Sequence, residues 1–392
     1  MRCVGTISRG IRLPVIQKGD DVIRIISDGV VAAAESERDA FTIRDRDVIG
    51  VTESLVARSQ GNYVTLADIS EDVRRRVPEG DVALVFPIMS RNRFRQLLRG
   101  IVNGVRGKVH VVMSYPSDEV GNKLIDPYNY YVKCGELSGE PFDEEEFYRV
   151  FGEYRHPFTG VDYIQLYKEI DPERVVIHFA NNPLAALKYS KNVIVASIHT
   201  RKLHREILEK HGAKVVCIDE ICSSPVREGA GYNEDYGLLG SNYTSDESVK
   251  LFPRGCDEFV RRLQADLVAR TGKKVEVFVY GDGAFKDPVE GIWELADPVV
   301  SPGFTDGLVG LPKEIKFKYV ADNAHGQDPT EAVREAIESK NALDKFGDTT
   351  LGTTPRRLTD LLGSLCDLTS GSGDKGTPVV CIQGYFDSYL DD

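Results

Sequence analysis

Apolar residues recur at two spacings along this chain, and each spacing predicts one kind of element. Between Val22 and Val31 the apolar positions lie near 3.6 residues apart, as on one face of a helix, and two aspartates precede them where carboxylates favour a helix start. A short apolar run over Val48–Val51 has the length of a buried strand. It leads into the polar stretch "TESLVARSQG", 52–61, which we predict to be a loop at the edge of a ligand site.

Strand and helix patterns alternate through the middle of the chain. Residues 80–116 predict strand, helix and strand, the order of a βαβ unit with a parallel pair. Residues 174–221 alternate in the same way, with Gly212 as a helix stop, and predict a second small α/β sheet. The segment 116–163 is rich in Tyr, Asp, Glu, Gly and Pro, and it predicts loops around one helix, in "DEEEFYRVFGEY".

The last part of the chain returns to long elements. A glycine-rich bridge, 223–247, precedes a predicted helix at Cys256–Thr271 and a strand within 274–280. The stretch "LTDLLGSLCDLTSGSGDKGTPVVCIQG", 358–384, predicts a helix, a loop of small residues and a strand. These patterns predict an α/β protein with mixed sheets, and a length of 392 residues favours two or three domains over a single core.

Charge and composition narrow the class of protein. The chain has 49 basic and 61 acidic residues, a formal charge of −12, which argues against a general binder of nucleic acid or of an anionic membrane. No apolar run reaches the roughly 18 residues of a membrane span, and the start lacks the apolar core of a signal peptide, so we expect a cytoplasmic protein. The seven cysteines are scattered without a C-x-x-C pair, so we expect reduced, mostly buried thiols and no zinc site.

Two glycine-rich stretches are candidates for binding a metal ion or a phosphate. Asp282 follows a predicted strand and has a glycine on each side, so its carboxylate can approach a metal ion, although a turn between two strands uses the same residues. In "LTSGSGDKGTP", 368–378, the glycines let successive N–H groups converge on an anion, and a flexible connection would use them as well. The Walker A pattern is absent.

Three blocks in one order resemble the coenzyme F-420 γ-glutamyl ligases. They are "LPVIQKGDDVIRII" with "DVIGVTESLVARSQG", then "GSNYTSDESVKLFP" with "TGKKVEVFVYGDGAFKDPVEGIW", and last the stretch 358–384. The resemblance covers about residues 11–80 and 236–392, so we assign a nucleotide- and metal-binding core to 1–80 and 236–392. Residues 81–235 look like an inserted α/β domain of unknown role.

The resemblance implies a two-domain homodimer that uses GTP, or ATP, with Mg²⁺ or Mn²⁺. Its reaction would join L-glutamate to a carboxylate of a deazaflavin-type cofactor precursor. The γ-phosphate would pass to the acceptor carboxylate, and the glutamate amine would attack the resulting acyl phosphate.

The resemblance also assigns site residues by position. Nucleotide-contacting candidates are Leu13, Pro14, Val15, Ile16, Glu53, Ser54, Arg58, Ser245, Gly371, Ser372, Gly373, Asp374 and Gly376, and metal-ligand candidates are Asn242 and Asp282. Four positions depart from the family pattern: Asn242 stands where the family has an aspartate, Ser245 at an asparagine, Arg58 at a lysine and Ser372 at a glutamate. Arginine keeps the charge of lysine but changes its geometry.

These departures remove two carboxylates and leave other interpretations open. One alternative is a nucleotide-binding or regulatory protein that keeps the fold without ligase activity. A further alternative is an NAD(P)-dependent oxidoreductase that uses the α/β module around "HFANNPLAALKYS" and "VIVASIHT", where the G-x-G-x-x-G fingerprint is missing.

Overall fold

The chain folds around two large β-sheets, one mixed and one almost entirely parallel. The computed structural model describes residues 3–91, 93–156, 159–281, 284–286, 293–295, 301–312, 315–340, 356–370 and 374–390. Its helices are α1 Val22–Ala34, α2 Glu53–Gln60, α3 Leu66–Arg76, α4 Phe94–Gly104, α5 Pro127–Lys133, α6 Glu144–Phe151, α7 Tyr163–Lys168, α8 Arg201–Lys210, α9 Cys256–Thr271, α10 Phe317–Asp322, α11 Pro329–Ser339 and α12 Leu358–Ser370, with 3₁₀ turns at Cys134–Glu136, Pro183–Lys188 and Asp306–Leu308. Its strands are β1 Ile7–Ile11, β2 Val48–Thr52, β3 Tyr63–Thr65, β4 Val82–Val85, β5 Val109–Met113, β6 Phe142–Asp143, β7 Val175–Phe179, β8 Asn192–Val195, β9 Lys214–Cys217, β10 Ser241–Ser245, β11 Ser248–Leu251, β12 Glu276–Tyr280, β13 Ala284–Lys286, β14 Trp293–Leu295, β15 Gly303–Phe304 and β16 Val379–Gln383.

β2 is the central strand of the five-stranded sheet, whose order is β1-β16-β2-β12-β15. It pairs in parallel with β12 and antiparallel with β16, and β16 pairs antiparallel with β1. The strands β1, β2 and β12 therefore all run in one direction. All four residues of Val48–Val51 are buried, as a strand covered on both faces requires, and the predicted strand there is confirmed.

Helices cover both faces of this sheet. α1 and α9 pack on one face, where Ile26, Val260 and Leu263 are buried. α12 packs on the other face through Leu362 and Cys366. The predicted helices within 19–35 and at 256–271 are confirmed, and the aspartate that precedes α1 accepts a hydrogen bond from a backbone N–H of its first turn.

The six-stranded sheet has the order β6-β7-β5-β4-β8-β9, and each neighbouring pair is parallel except β6 with β7. The predicted parallel pair of the βαβ unit is confirmed as β4 and β5. The prediction of a second small sheet is wrong, because β7 pairs with β5 and β8 pairs with β4. The apolar runs in these strands are buried on both faces of the sheet. One continuous sheet leaves fewer edge strands unpaired than two separate sheets would.

Several segments that were predicted to be irregular contain regular elements. The predicted bridge at 223–247 is wrong at its end, because β10 pairs with β11, and β11 pairs with β3 to make a three-stranded sheet. In 116–163 the predicted helix is confirmed as α6, but α5 was missed. None of the seven residues of α5 is buried, so it shows no apolar periodicity that could have indicated a helix.

The apolar core around the six-stranded sheet extends beyond residues 81–235. It includes Val64, Ile69 and Val73 before the sheet, and Leu239 and Leu251 after it. All six strands lie within 81–235, whereas the residues that complete their core do not. The assignment of 81–235 as a separate insertion stays a prediction.

α12 approaches β2 closely at Gly50. A Cβ built on Gly50 would overlap the Sγ atom of Cys366 and would stand 2.9 Å from Cε1 of Phe278. We expect Gly50→Ala to lower the free energy of unfolding by about 1–3 kcal/mol, because an extra methyl group there forces the helix and strand apart. Urea unfolding of the purified protein measures this loss, and Gly135→Ala is the matched control, because a Cβ on Gly135 meets no atom within 4 Å. An equal effect of the two substitutions would contradict the close packing.

Asp118 connects two loops at the carboxyl end of the six-stranded sheet. Its buried carboxylate accepts hydrogen bonds from the backbone N–H groups of Met89, at 2.8 Å, and Asn122, at 2.9 Å. Burial is the largest effect on this group and raises the pKa of Asp118 to about 6, although these bonds act in the opposite direction.

A carboxyl group with a raised pKa in the folded protein stabilises the fold most at low pH. We expect the stability of the wild type relative to Asp118→Asn to fall by about 2 kcal/mol between pH 4.5 and 7.5, because the folded protein resists losing this proton. Urea unfolding of both proteins at the two pH values measures the difference. A difference that stays constant or rises with pH would show that Asp118 is charged in the folded protein.

Candidate functional site

Four segments of the five-stranded sheet converge at one of its ends. The segments that follow β1, β2 and β12 leave from this end, and the segment that precedes β16 enters there, because β16 runs in the opposite direction. We call this end, made by residues 12–16, 52–54, 281 and 374–378, the loop edge. Two backbone hydrogen bonds join its segments: Leu13 N donates to Gly376 O at 3.2 Å, and Thr52 N donates to Pro378 O at 3.0 Å. The structure thus brings together segments from both ends of the chain.

The segment Leu13–Ile16 is held against α1 and α2. Leu13 packs on Gly29 of α1, where a Cβ would overlap its Cδ2 atom. Ile16 is buried, and its carbonyl oxygen accepts a hydrogen bond from Nε of Arg58 at 2.6 Å. Val15 is 77% exposed, so this predicted contact residue is accessible to a ligand. Arg58 therefore positions the segment through at least one of its N–H groups.

Within the stretch 52–61, residues Glu53–Gln60 form the helix α2, so the prediction of a polar loop there is wrong. Its apolar residues lie on one buried face, while Ser54 and Arg58 are exposed one turn apart. Gly61 ends the helix in the left-handed conformation, with φ of 61°. The polar residues on the exposed face hid a helix that begins directly at the end of β2, so Glu53 lies at its amino-terminal end, where a carboxylate is favourable.

Glu53 forms a buried ion pair that the sequence did not indicate. Lys250 of β11 donates to Glu53 Oε1 at 2.8 Å, and their side chains are only 9% and 3% exposed. Asn242 is paired with Lys250 in the β10–β11 ladder, so these two side chains project from the same face of that sheet. The metal-ligand candidate Asn242 therefore lies next to Lys250, whose side chain reaches Glu53 at the loop edge.

Ser245 lies further along the same hairpin. Its hydroxyl group is 2.8 Å from the Oγ atom of Ser248, and its carbonyl oxygen faces the side-chain amide of Gln96 in α4, at 3.5 Å. The described contacts of Ser245 thus join it to the hairpin end and to α4, and not to the loop edge.

The glycine-rich loop enters the loop edge from α12. Gly371, Ser372 and Gly373 lie outside the described residues, as does Asp282. Asp374 is exposed in a turn, and Gly376 has φ of 63°, a conformation that favours glycine. The Oγ1 atom of Thr377 donates to Ser370 O at 3.1 Å and brings the two ends of the loop together. Because the loop follows the carboxyl end of a helix, the helix dipole gives it no help in binding an anion.

A cleft of about 760 Å³ opens beside β1 and this loop. We call it the edge cleft. Arg9, Arg12 and Lys375 line it together with one acid, Asp39. Arg9 lies over the ring of Phe41 at 4.8 Å, whereas Arg12 and Lys375 have no carboxylate partner within the described part of the chain. Both are within or beside stretches that the sequence had singled out, but neither was named as a candidate.

Other chemistries find little support among the described residues. No three His, Cys, Asp or Glu side chains in that part of the chain come together as a metal-ligand group. All seven cysteines are free thiols, five of them buried as predicted, and burial raises the pKa of Cys256 and of Cys381 to about 12, which disfavours thiolate nucleophiles. None of the helices described here has both the length and the apolar composition to cross a bilayer.

The ion pair at the loop edge gives a direct test of this geometry. We expect Lys250→Met to lower the free energy of unfolding by about 3 kcal/mol, because it removes a cation from a buried carboxylate. We expect the double substitution Lys250→Met with Glu53→Gln to recover part of that loss. Urea unfolding of the wild type, of both single variants and of the double variant measures these effects, and Lys202→Met, at an exposed lysine of α8, is the control. A double variant that loses the sum of the two single effects would show that the pair is not coupled.

Comparison with known proteins agrees with the resemblance. No curated protein matches the chain significantly. The family model described as F420-0:Gamma-glutamyl ligase matches residues 10–384, which include the loop edge and the six-stranded sheet in one continuous match. The chain therefore belongs to the F420-0:gamma-glutamyl ligase family, and it is a ligase that forms amide bonds.

Proposed function

We propose that the loop edge binds GTP, or ATP, with Mg²⁺ or Mn²⁺, and that the protein joins L-glutamate to a carboxylate of a deazaflavin-type cofactor precursor. The acceptor carboxylate would be activated as an acyl phosphate before the amine attacks. One observation carries this proposal: the segments that resemble the nucleotide-binding blocks of the family, 13–16, 53–58 and 374–376, meet at one end of one sheet. The last of them is more than 300 residues from the other two in the sequence, so only the fold brings all three together.

The charges at this edge support phosphate binding. Lys375 is in the glycine-rich loop, and Arg12 directly precedes the segment that joins it through Leu13 N and Gly376 O. Both cations lack a carboxylate partner in the described part of the chain, so they are available to a polyphosphate. They supply positive charge near the loop, whereas the carboxyl end of α12 carries a partial negative charge.

The described residues narrow the choice of metal ligand. The Glu53 carboxylate is neutralised by the Lys250 ammonium group, which makes it a poor candidate for holding a cation. Asp282 directly follows Gly281 at the end of β12, the parallel neighbour of β2, and Asn242 is a neutral oxygen donor on the adjacent hairpin. We assign these two to the metal, which when bound would offset the charge of the phosphates.

The edge cleft provides room for the organic part of a substrate. Its volume, about 760 Å³, lies within the range of roughly 300–1,000 Å³ that small-molecule sites have. Arg9 and Arg12 on its wall favour an anionic substrate. Because a glutamate and a carboxylate acceptor are both anions, such cations would help to bring the two together.

The nucleotide part of this proposal is tested by isothermal titration. GTP and ATP are titrated into wild type, Asp282→Ala, Ser372→Glu and Lys375→Ala, with and without Mg²⁺. We expect Asp282→Ala to lose the Mg²⁺-dependent part of binding, Ser372→Glu to strengthen it by restoring a family carboxylate, and Lys375→Ala to weaken binding about tenfold. Lys202→Ala, an exposed lysine on α8, is the matched control and should bind as wild type does.

Turnover separates a ligase from a homologue that only binds. GTP, glutamate and the deazaflavin acceptor are incubated with the protein, and mass spectrometry detects an added glutamyl group while free phosphate is measured. Nucleotide binding without product would favour the regulatory alternative. Absence of nucleotide binding in every combination would overturn the assignment of the loop edge. The proposal includes a homodimer, which sedimentation of the purified protein tests.

A further inference from the structure

A second cleft, of about 550 Å³, lies where the five-stranded sheet region meets the region of the six-stranded sheet. Its lining comes from Lys18, from Gln60 and Gly61 at the end of α2, from Arg254, and from the loop 225–232. We call it the seam cleft. The loop edge is at the beginning of α2, so the helix separates the two places by its length of eight residues, about 12 Å.

The walls of the seam cleft are fixed by buried hydrogen bonds. Asn62 is fully buried, and its side chain bonds to the backbone of Tyr232 in both directions: Nδ2 donates to Tyr232 O, and Tyr232 N donates to Oδ1, each at 3.0 Å. Gly231 N donates to Tyr63 O at 2.8 Å, and a Cβ on Gly231 would stand 2.6 Å from that oxygen. The loop therefore sits at its closest approach to the end of α2, and the cleft is formed in advance of any ligand.

Two cations face this cleft without a neutralising acid. Arg254 donates to Asn62 Oδ1 and lies over the ring of Tyr232 at 4.5 Å, and it forms no ion pair in the described part of the chain. Lys18 lies with its stem against Gly61, and its ammonium group has no partner among those same residues. A third cation, Arg227, is neutralised by the bidentate contact with Asp68, which makes it part of the wall.

The cleft is lined by more cations than acids, although the formal charge of the protein is −12. Among the residues that the structure describes, Glu228 is the one acid that lines the cleft, and it is exposed. A guanidinium group held by neutral acceptors and by an aromatic face keeps N–H groups for a charged acceptor, and an ammonium group beside it adds to the field. The chemistry that satisfies both is an oxyanion with more than one negative charge.

We propose that the seam cleft binds a small molecule through a multiply charged oxyanion, a phosphate or a carboxylate cluster, held between Lys18 and Arg254. The cleft volume exceeds that of a phosphate ion and lies within the range for small-molecule sites, so the oxyanion belongs to a larger molecule. This site is distinct from the loop edge and needs neither the nucleotide nor the metal proposed there.

The test titrates tripolyphosphate and, separately, citrate into the full-length protein without divalent metal. We expect saturable binding of at least one of the two, and the stronger of them identifies the oxyanion as phosphate or carboxylate. Lys18→Ala and Arg254→Lys should each weaken that binding about tenfold, the second because lysine keeps the charge but loses the stacked, forked geometry. Lys202→Ala, an exposed lysine on α8, is the matched control and should leave that binding unchanged.

A reporter in the cleft distinguishes this site from the loop edge. In Tyr232→Trp the indole replaces the ring beneath Arg254, and we expect its fluorescence to change on addition of the bound oxyanion, in proportion to occupancy. When Lys18→Ala is added to this variant, we expect the same change to need about tenfold more of the oxyanion. Thermal unfolding verifies that each variant is folded; Lys18 is exposed, so its removal should not lower the midpoint.

The outcomes separate this proposal from that for the loop edge. Binding that is lost in Lys375→Ala and retained in Lys18→Ala would overturn the seam site and leave the loop edge as the anion site. No binding of either oxyanion to wild type, with a silent indole, would also overturn it. Loss of GTP binding in Asp282→Ala with an unchanged response of the indole would support both proposals independently.

Discussion

The pairing of β2 with β12 on one side and with β16 on the other is the constraint on which the rest of the site depends. Each strand is a short apolar run that is buried on both faces, so no strand is stable without the other two and the helices that cover them. The register fixes which loops meet, since Thr52 is opposite Tyr280 and Val51 is opposite Val379. A shift of one residue would turn buried side chains to the wrong face and would move every loop at that end.

Much of this arrangement was predictable from the spacing of apolar residues. α1, α9 and the strands β2, β4 and β5 have strong periodicity or continuous apolar runs, and they lie where the sequence placed them. α2 was not predictable in this way, because Ser54 and Arg58 made its sequence look like a polar loop. The end of α2 did have a signal in the sequence, namely Gly61, because a glycine in the left-handed conformation commonly follows a helix.

The segments that form the site were predictable from the sequence, but the contacts of its charged side chains were not. The blocks around residues 13–16, 53–58 and 374–376 were singled out from resemblance, and the fold brings them together. The ion pair of Glu53 with Lys250 joins residues 197 positions apart, and no local pattern relates two positions at that distance. Lys250 was not singled out in the sequence, and only the pairing of β11 with β10 and β3 directs it toward the end of β2.

The six-stranded sheet also bears on the oxidoreductase alternative. Its parallel strands have the order β7-β5-β4-β8-β9, which matches the first five strands of the doubly wound dinucleotide-binding order, with a crevice between the ends of β4 and β8. The carboxylate of Glu119 lies at this crevice and accepts hydrogen bonds from His199 N, at 3.2 Å, and from Oγ1 of Thr200, at 3.1 Å. An acid at the start of α8 repels the pyrophosphate of a dinucleotide and uses the donors that would bind it. The G-x-G-x-x-G fingerprint is also absent, so the fold of this sheet does not by itself support hydride transfer.

The apolar core around the six-stranded sheet includes residues outside 81–235, and this affects how the protein can be shortened. Val64, Ile69 and Val73 pack with the strands of the six-stranded sheet, as does Leu251 of the hairpin that carries Lys250. Excision of residues 81–235 would expose these side chains to water and would leave the hairpin without its packing partner. A chain shortened in this way would therefore need other residues in place of Ile69 and Val73 on the face of α3 that packs in this core.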